Sequence, residues 1–272
     1  MHFKKHTLFL LSSLFFSLII NAQVSICSWN IMNLGKSKSD SELEFIAKTI
    51  NKYDIITIQE VVAGNGGAKA VSRLVSILNN KGSKWDYAVS DVTTSDNPSS
   101  RERYAFIWKP SKVTKIGNSW LEQNFQREID REPFMSTFDY KGSTFTIASF
   151  HAVPKKKNPE KEIKYFKYLP SLYPKLNIIF MGDFNCSQSN TVFNPLKNNG
   201  YKSILTNQKT SLRQKCLKQD CLASEYDNMF YYSKKVTVEK AGVENFYSQF
   251  ITLKEARKIS DHIPIYGIVV IK

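Results

Sequence analysis

The chain has 272 residues, 42% of them apolar and 13% aromatic, and its 38 Lys and Arg outweigh 24 Asp and Glu for a formal charge of +14. That supply of apolar residues excludes a chain without a sizeable core, and short apolar segments recur to the last residue, as in one domain rather than two. The basic balance points to a polyanionic partner, whether nucleic acid, anionic lipid or a cell-surface polymer, and does not choose among them.

Lys4 and Lys5 precede an apolar stretch from Leu8 to Ile20, and Asn21 and Ala22 follow. This is the order of a secretory signal peptide over 1–22, cleaved after Ala22, and its apolar part is too short for an ordinary membrane span. The mature domain is then 23–272, secreted or periplasmic, and without Lys4 and Lys5 its charge falls by two to +12. It carries Cys27, Cys186, Cys216 and Cys221, which allow three pairings in an oxidising compartment. Cys216 and Cys221 flank a short polar segment and are the first choice for a bridge; no Cys or His spacing suggests zinc.

Val24 to Trp29 reads as a strand with Asn30 at its end. Ser39 and Glu42 have capping-box spacing, and Leu43, Ile46, Ala47 and Ile50 give the following helix an apolar face. Ile55 to Gln59 is a second buried strand, ending on Glu60; a Gly-rich turn at 64–67 opens a second helix. Strand, helix, strand, helix implies parallel pairing, which sets Asn30 and Glu60 at the same sheet edge, where open α/β sheets bind ligands. Short strands follow between Trp85 and Tyr140, and the polar segment 93–100 is expected to be a mobile loop delivering Arg101, Glu102 and Arg103 to a strand. Arg131 precedes another strand, and a further buried strand ends on His151.

Ile178 to Met181 is apolar enough to be buried on both faces, then Gly182 breaks the run before Asp183 and Asn185. Two residues apart in extended chain, that carboxylate and amide point the same way and suit a hard cation or a phosphodiester. Outside the leader the chain has only two histidines, His151 and His262, both at strand rims. A polar, basic segment over 201–224 leads to Tyr226, Asp227 and a strand, and the last strand, Ile265 to Ile271, follows Asp261 and His262.

Taken in order, WNIMNLG, ITIQEV, RERYAF, REP, FHAVP, MGDFN, YDNMF and SDHIPI resemble the endonuclease/exonuclease/phosphatase superfamily, most closely its secreted deoxyribonuclease I branch. The resemblance implies an α/β (mixed α+β) four-layer sandwich, two packed mixed β-sheets flanked by helices. It implies Asn30, Glu60 and Asp261, with Asp183, around a divalent cation, Mg²⁺ with Mn²⁺ or Ca²⁺ as alternatives. Asp183 and Asn185 would hold a second metal or the attacking water. His151 and His262 would be the acid/base and phosphate-contacting pair, oriented by Glu102 and Asp227. Arg131 and Tyr226 would touch phosphate, with Arg101 and Arg103 nearby.

The activity implied is endonucleolytic hydrolysis of DNA, duplex or single-stranded, with little sequence specificity and 5′-phosphate ends, by a monomer with no membrane anchor after cleavage. The alternatives are a phosphodiesterase of the same fold acting on lipid headgroups, as a sphingomyelinase does, or a non-catalytic polyanion-binding relative. Two arginines that grip the minor groove in the family are here Met32 and Val62, and an aromatic residue is here Ser100. Duplex contacts are therefore expected from Lys36, Lys38, Arg101 or the 209–218 loop.

Overall fold

A computed structural model describes residues 23–272; the expected signal peptide lies outside the described residues. Strand β1 (Gln23–Leu34) leads to α1 (Asp40–Ile50), and β2 (Ile55–Val62) to α2 (Asn65–Asn79). Five strands follow: β3 (Asp86–Val89), β4 (Glu102–Trp108), β5 (Thr114–Leu121), β6 (Phe134–Tyr140) and β7 (Ser143–His151). Short helices α3 (Glu160–Ile163) and α4 (Leu169–Leu172) precede β8 (Ile178–Asp183), and α5 (Asn194–Asn198) precedes β9 (Tyr201–Ser203). The hairpin β10 (Leu212–Leu217) and β11 (Asp220–Leu222) comes next, then β12 (Asp227–Tyr232), β13 (Val236–Val243), α6 (Leu253–Ile259) and β14 (Ile265–Ile271).

Two six-stranded sheets result, one ordered β13-β14-β1-β2-β4-β3 and the other β5-β6-β7-β8-β12-β9. Each holds one parallel pair, β1 with β2 and β7 with β8, among antiparallel neighbours. A parallel pair cannot be closed by a hairpin and needs a crossover. In the first sheet α1 supplies it, with the expected Ser39–Glu42 capping box and Leu43, Ile46, Ala47 and Ile50 buried. In the second, α3 and α4 do.

Three apolar layers separate four structural ones. One lies between the sheets, one between the first sheet and α1, α2 and α6, and one outside the second sheet against the α3–α5 segments. Side chains of β8 alternate between two of them: Ile179 and Met181 enter the middle layer, Ile178 and Phe180 the outer one. That is why the strand reads as an unbroken apolar run. The expected four-layer sandwich is present.

Several local expectations change. Strand β1 continues past Trp29 to Leu34, with its register against β2 shifted between Asn30 and Leu34. Segment 93–100 is tied down rather than loose: Thr93 and Ser95 are buried, the Thr94 amide donates to Glu132 at 3.0 Å, and the Ser95 hydroxyl donates to Asp130 at 2.9 Å. The basic segment before Tyr226 folds into the β10–β11 hairpin, closed by the Cys216–Cys221 disulfide; Cys27 and Cys186 are free and buried.

Candidate active site

The carboxyl ends of the two parallel pairs meet across the sandwich. On the first sheet, Glu60 adopts φ +59°, a left-handed conformation that bulky residues rarely take without other support. It turns the carboxylate back toward β1, where Oε1 accepts from Asn30 Nδ2 at 3.1 Å and Oε2 accepts from the Asn33 amide at 3.1 Å. On the second sheet, Gly182 pairs with Phe150 at φ +140°, and a Cβ there would stand 2.0 Å from the Phe150 carbonyl oxygen. Only glycine lets β8 lie that close to β7 and carry Asp183 to the rim.

Asp183 is the hinge of the site. Its Oδ2 accepts from Asn30 Nδ2 at 3.2 Å and lies 3.3 Å from His151 Nε2 and 3.6 Å from His262 Nε2. Its Oδ1 accepts from the Asn185 amide at 2.9 Å. Behind each imidazole stands a second carboxylate. His151 Nδ1 is 2.9 Å from Glu102 Oε2, and His262 Nδ1 is 2.7 Å from Asp227 Oδ2. Glu102, His151, Asp183, His262 and Asp227 thus form one chain of alternating charge, all buried. Glu102 with His151 and Asn30 with Asp183 join one sheet to the other, and Asp227 on β12 meets His262 on the segment leading into β14.

The electrostatics follow from these neighbours. Burial works to raise the Glu102 carboxyl, but His151 and Arg131 outweigh it and hold it below its usual range. Burial likewise works to raise Asp183, and His262 and His151 bring it down. For His262, burial favours the neutral ring, yet Asp227 and Asp183 lift its pKa well above the ordinary value. Burial and Arg131 both act to lower His151, and Glu102 and Asp183 leave it raised.

Arg131 reaches the pocket wall, but most of its guanidinium is spent inside the protein. Its guanidinium is buried, donates to Glu102 Oε2 at 3.0 Å and to the Ala152 carbonyl, and braces the Glu102–His151 pair. Arg103 donates to the carbonyls of Ala63 at 3.0 Å and Ser90 at 2.6 Å and is not a wall of the pocket. Lys38, expected as a duplex contact, is buried with Nζ on the carbonyls of Lys258 and Ile259 at 2.6 and 2.7 Å. Arg101 is exposed and does line the pocket, beside Glu60, Asp183 and Asp261. Tyr226 stacks on His262 with ring centroids 6.4 Å apart and faces an adjoining cleft.

Two residues given no role from the sequence complete the frame. Thr210 Oγ1 donates to Asp227 Oδ2 at 2.6 Å. Ser260 Oγ donates to the Asn30 carbonyl at 2.6 Å and accepts from the His262 amide at 3.0 Å. Ser260 opens the SDHIPI motif, which was its signal; Thr210, 17 residues from Asp227, had none.

The donor set suits a hard cation. Asn30 Oδ1 is buried without a hydrogen-bond partner, because the amide nitrogen is the atom turned to Glu60 and Asp183. An orphaned buried oxygen on the side chain bonded to Glu60, which lines the pocket together with Asp261, suits Mg²⁺, Mn²⁺ or Ca²⁺. Asp183, Asp227 and His262 also bring one donor atom each within 4.8 Å of one another. Most of their atoms are engaged with each other, with Thr210 and with Asn30, while Asp227 Oδ1 is, like Asn30 Oδ1, buried without a partner.

A pocket of about 490 Å³ that sets two carboxylate-backed imidazoles against a cation cradle is equipped to hydrolyse phosphodiesters. The chain belongs to the Endonuclease/Exonuclease/phosphatase family, whose sequence model matches residues 27–262. It is 25% identical to rat (Rattus norvegicus) deoxyribonuclease gamma over 94% of this chain and 88% of that protein. It is 24% identical to a deoxyribonuclease of Thioalkalivibrio sp. (strain K90mix) over 90% of this chain and 70% of that one. In structure it is similar to the catalytic domain of human Nocturnin, with TM-score 0.65 and 14% identity over 93% of this chain and 96% of that one.

Proposed function

We propose that the protein is an exported, divalent-metal-dependent nuclease that hydrolyses DNA phosphodiesters as a monomeric single domain, with little sequence preference. The observation that carries the reading is the unbroken chain Glu102–His151–Asp183–His262–Asp227 beside the unpartnered Asn30 oxygen. Deoxyribonuclease relatives that align with most of the chain supply the substrate class.

Asn30, Glu60 and Asp261 would hold Mg²⁺, Mn²⁺ or Ca²⁺, which when bound would neutralise charge on a non-bridging phosphate oxygen. Asp183 accepts a hydrogen bond from the attacking water, and Asn185 assists: its nitrogen is held by the Ala152 carbonyl at 3.0 Å, so its oxygen faces the water. His262, kept cationic by Asp227 and Asp183, donates to a phosphate oxygen. His151 is the general acid. The water gives a proton to Asp183 as its oxygen bonds to phosphorus, the bond to O3′ breaks, and the His151 proton passes to that oxygen, leaving a 5′-phosphate and a 3′-hydroxyl; the proton on Asp183 then returns to His151 or to solvent. Glu102 stabilises the imidazolium before transfer and Arg131 fixes Glu102.

Plasmid nicking tests this. Activity with Mg²⁺ should vanish with EDTA, and His151→Ala and His262→Ala should each lower kcat by about 10²–10⁴. Full activity in either variant, or cleavage indifferent to EDTA, would remove the proposal. Mass spectrometry of exported protein should begin at Gln23.

A further inference from the structure

We propose that the cleft between α6 and the disulfide hairpin is a second docking surface for the polynucleotide strand, next to the catalytic pocket. The inference rests on the nuclease reading above and adds where the rest of the substrate lies.

The cleft measures about 690 Å³. Met32 from β1 and Leu253 from α6 give it an apolar floor, and Lys215, Lys254, Arg257 and Lys258 ring it with four cations and no carboxylate. Arg257 is committed, donating to the Leu212 carbonyl at 2.9 Å and to Asp261 at 3.3 Å. Lys215, Lys254 and Lys258 are exposed and form no ion pair among the described residues. Beyond the rim stand two bare aliphatic side chains, Leu217 at 61% exposure beside Cys216 and Ile251 at 97% beside Thr252. Large apolar residues left that open mark contact surfaces when they cluster with a purpose-built rim.

Charge complementarity selects a polyanion. The apolar floor selects one with flat apolar parts between its charges, and Leu, Ile and Met are the side chains that proteins press against sugars and base steps. Continuity selects the substrate strand over a lipid surface. Arg257 spans from the cleft to Asp261, a wall of the catalytic pocket, and Met32 lies between Asn30 and Asn33, which line the cradle and that pocket. A strand whose scissile phosphate sits between His151 and His262 leaves past Asp261 onto these lysines. A disulfide near the hairpin's turn ties down the residue next to Lys215, which lines the cleft.

The test is the triple variant Lys215→Glu, Lys254→Glu, Lys258→Glu, assayed on a long oligonucleotide and on a dinucleotide. The expected result is a fall of about tenfold or more in the ratio of kcat/KM on the long substrate to that on the short one. The salt dependence on the long substrate should become shallower by about one unit of slope per lysine. A control triple with the same charge change, Lys81→Glu, Lys84→Glu, Lys112→Glu, sits at the opposite ends of the strands and should leave the ratio where it is. An unmoved ratio in the cleft variant overturns the proposal, as does an equal fall in the control. So does binding to phosphatidylserine vesicles that disappears in the cleft variant while its ratio holds, which would assign the surface to lipid. If wild-type protein cuts no polynucleotide at all, the nuclease reading itself fails, a result distinct from all of these.

Discussion

Glu102 answers to two cations at once, the Arg131 guanidinium and the His151 ring, and its depressed pKa is a statement about stability as well as chemistry. The folded value lies below the unfolded one, so this group's contribution is fully present above the ordinary carboxylate pKa of about 4.5 and is lost as pH falls through the folded value. Glu102→Gln should therefore lose about 3–5 kcal/mol near neutral pH, since Arg131 is left buried without its counter-charge. Its stability should then change less than that of wild type on acidification below about pH 4.5. Urea unfolding across pH measures both; a steeper acid decline in the variant would contradict the assignment. The residue scale also explains the misplaced cations. Arg103 and Lys38 read as free basic side chains because their partners are backbone carbonyls, which no motif records.

Among elements, the strands that build the site were legible for a definite reason. β2 and β8 are buried on both faces, so they stand out as apolar runs, and the capping box marks α1 without help from the rest of the fold. β13 was not legible: its VTVEKAGV has only Val236 fully buried, and its pairing with β14 is what makes it a strand. Helix α6, seven residues long with a Thr252–Glu255 capping box, is too short for periodicity to declare it. Contacts such as Ser260 with Asn30, 230 residues apart, depend on the whole chain closing. Gly182, read as a strand breaker, is inside β8, and its role is close approach. Gly182→Ala should push β8 from β7 and displace Asp183, cutting activity more than a hundredfold if Asp183 orients the water. A variant with unaltered kcat and melting temperature would show that the strands can part without consequence.

Over the whole molecule, stability and catalysis share one layer. Phe106 and Trp108 from the first sheet pack against Phe138 from the second, each with ring centroids 5.8 Å from it. Phe138→Ala should cost about 3–5 kcal/mol by opening a cavity in that layer. Chemical denaturation should report it, with Mg²⁺ affinity weakened in parallel by calorimetry; an unchanged affinity would show that the cradle does not depend on how the sheets sit. Formal charge acts at this scale too, drawing the basic chain to any polyanion before the pocket selects a phosphate.

Glu102 with His151 and Asn30 with Asp183 are fastened from one half of the sandwich to the other, and Asp227 with His262 ties β12 to the segment leading into β14. The protein's reactive centre is therefore its own clasp. A slight shear between the halves unhooks the proton relay long before any helix melts, so catalytic competence is the first property that mild denaturant should take away. Cargo held in the clasp should conversely steady both halves together, which makes the nuclease sturdiest while it is at work.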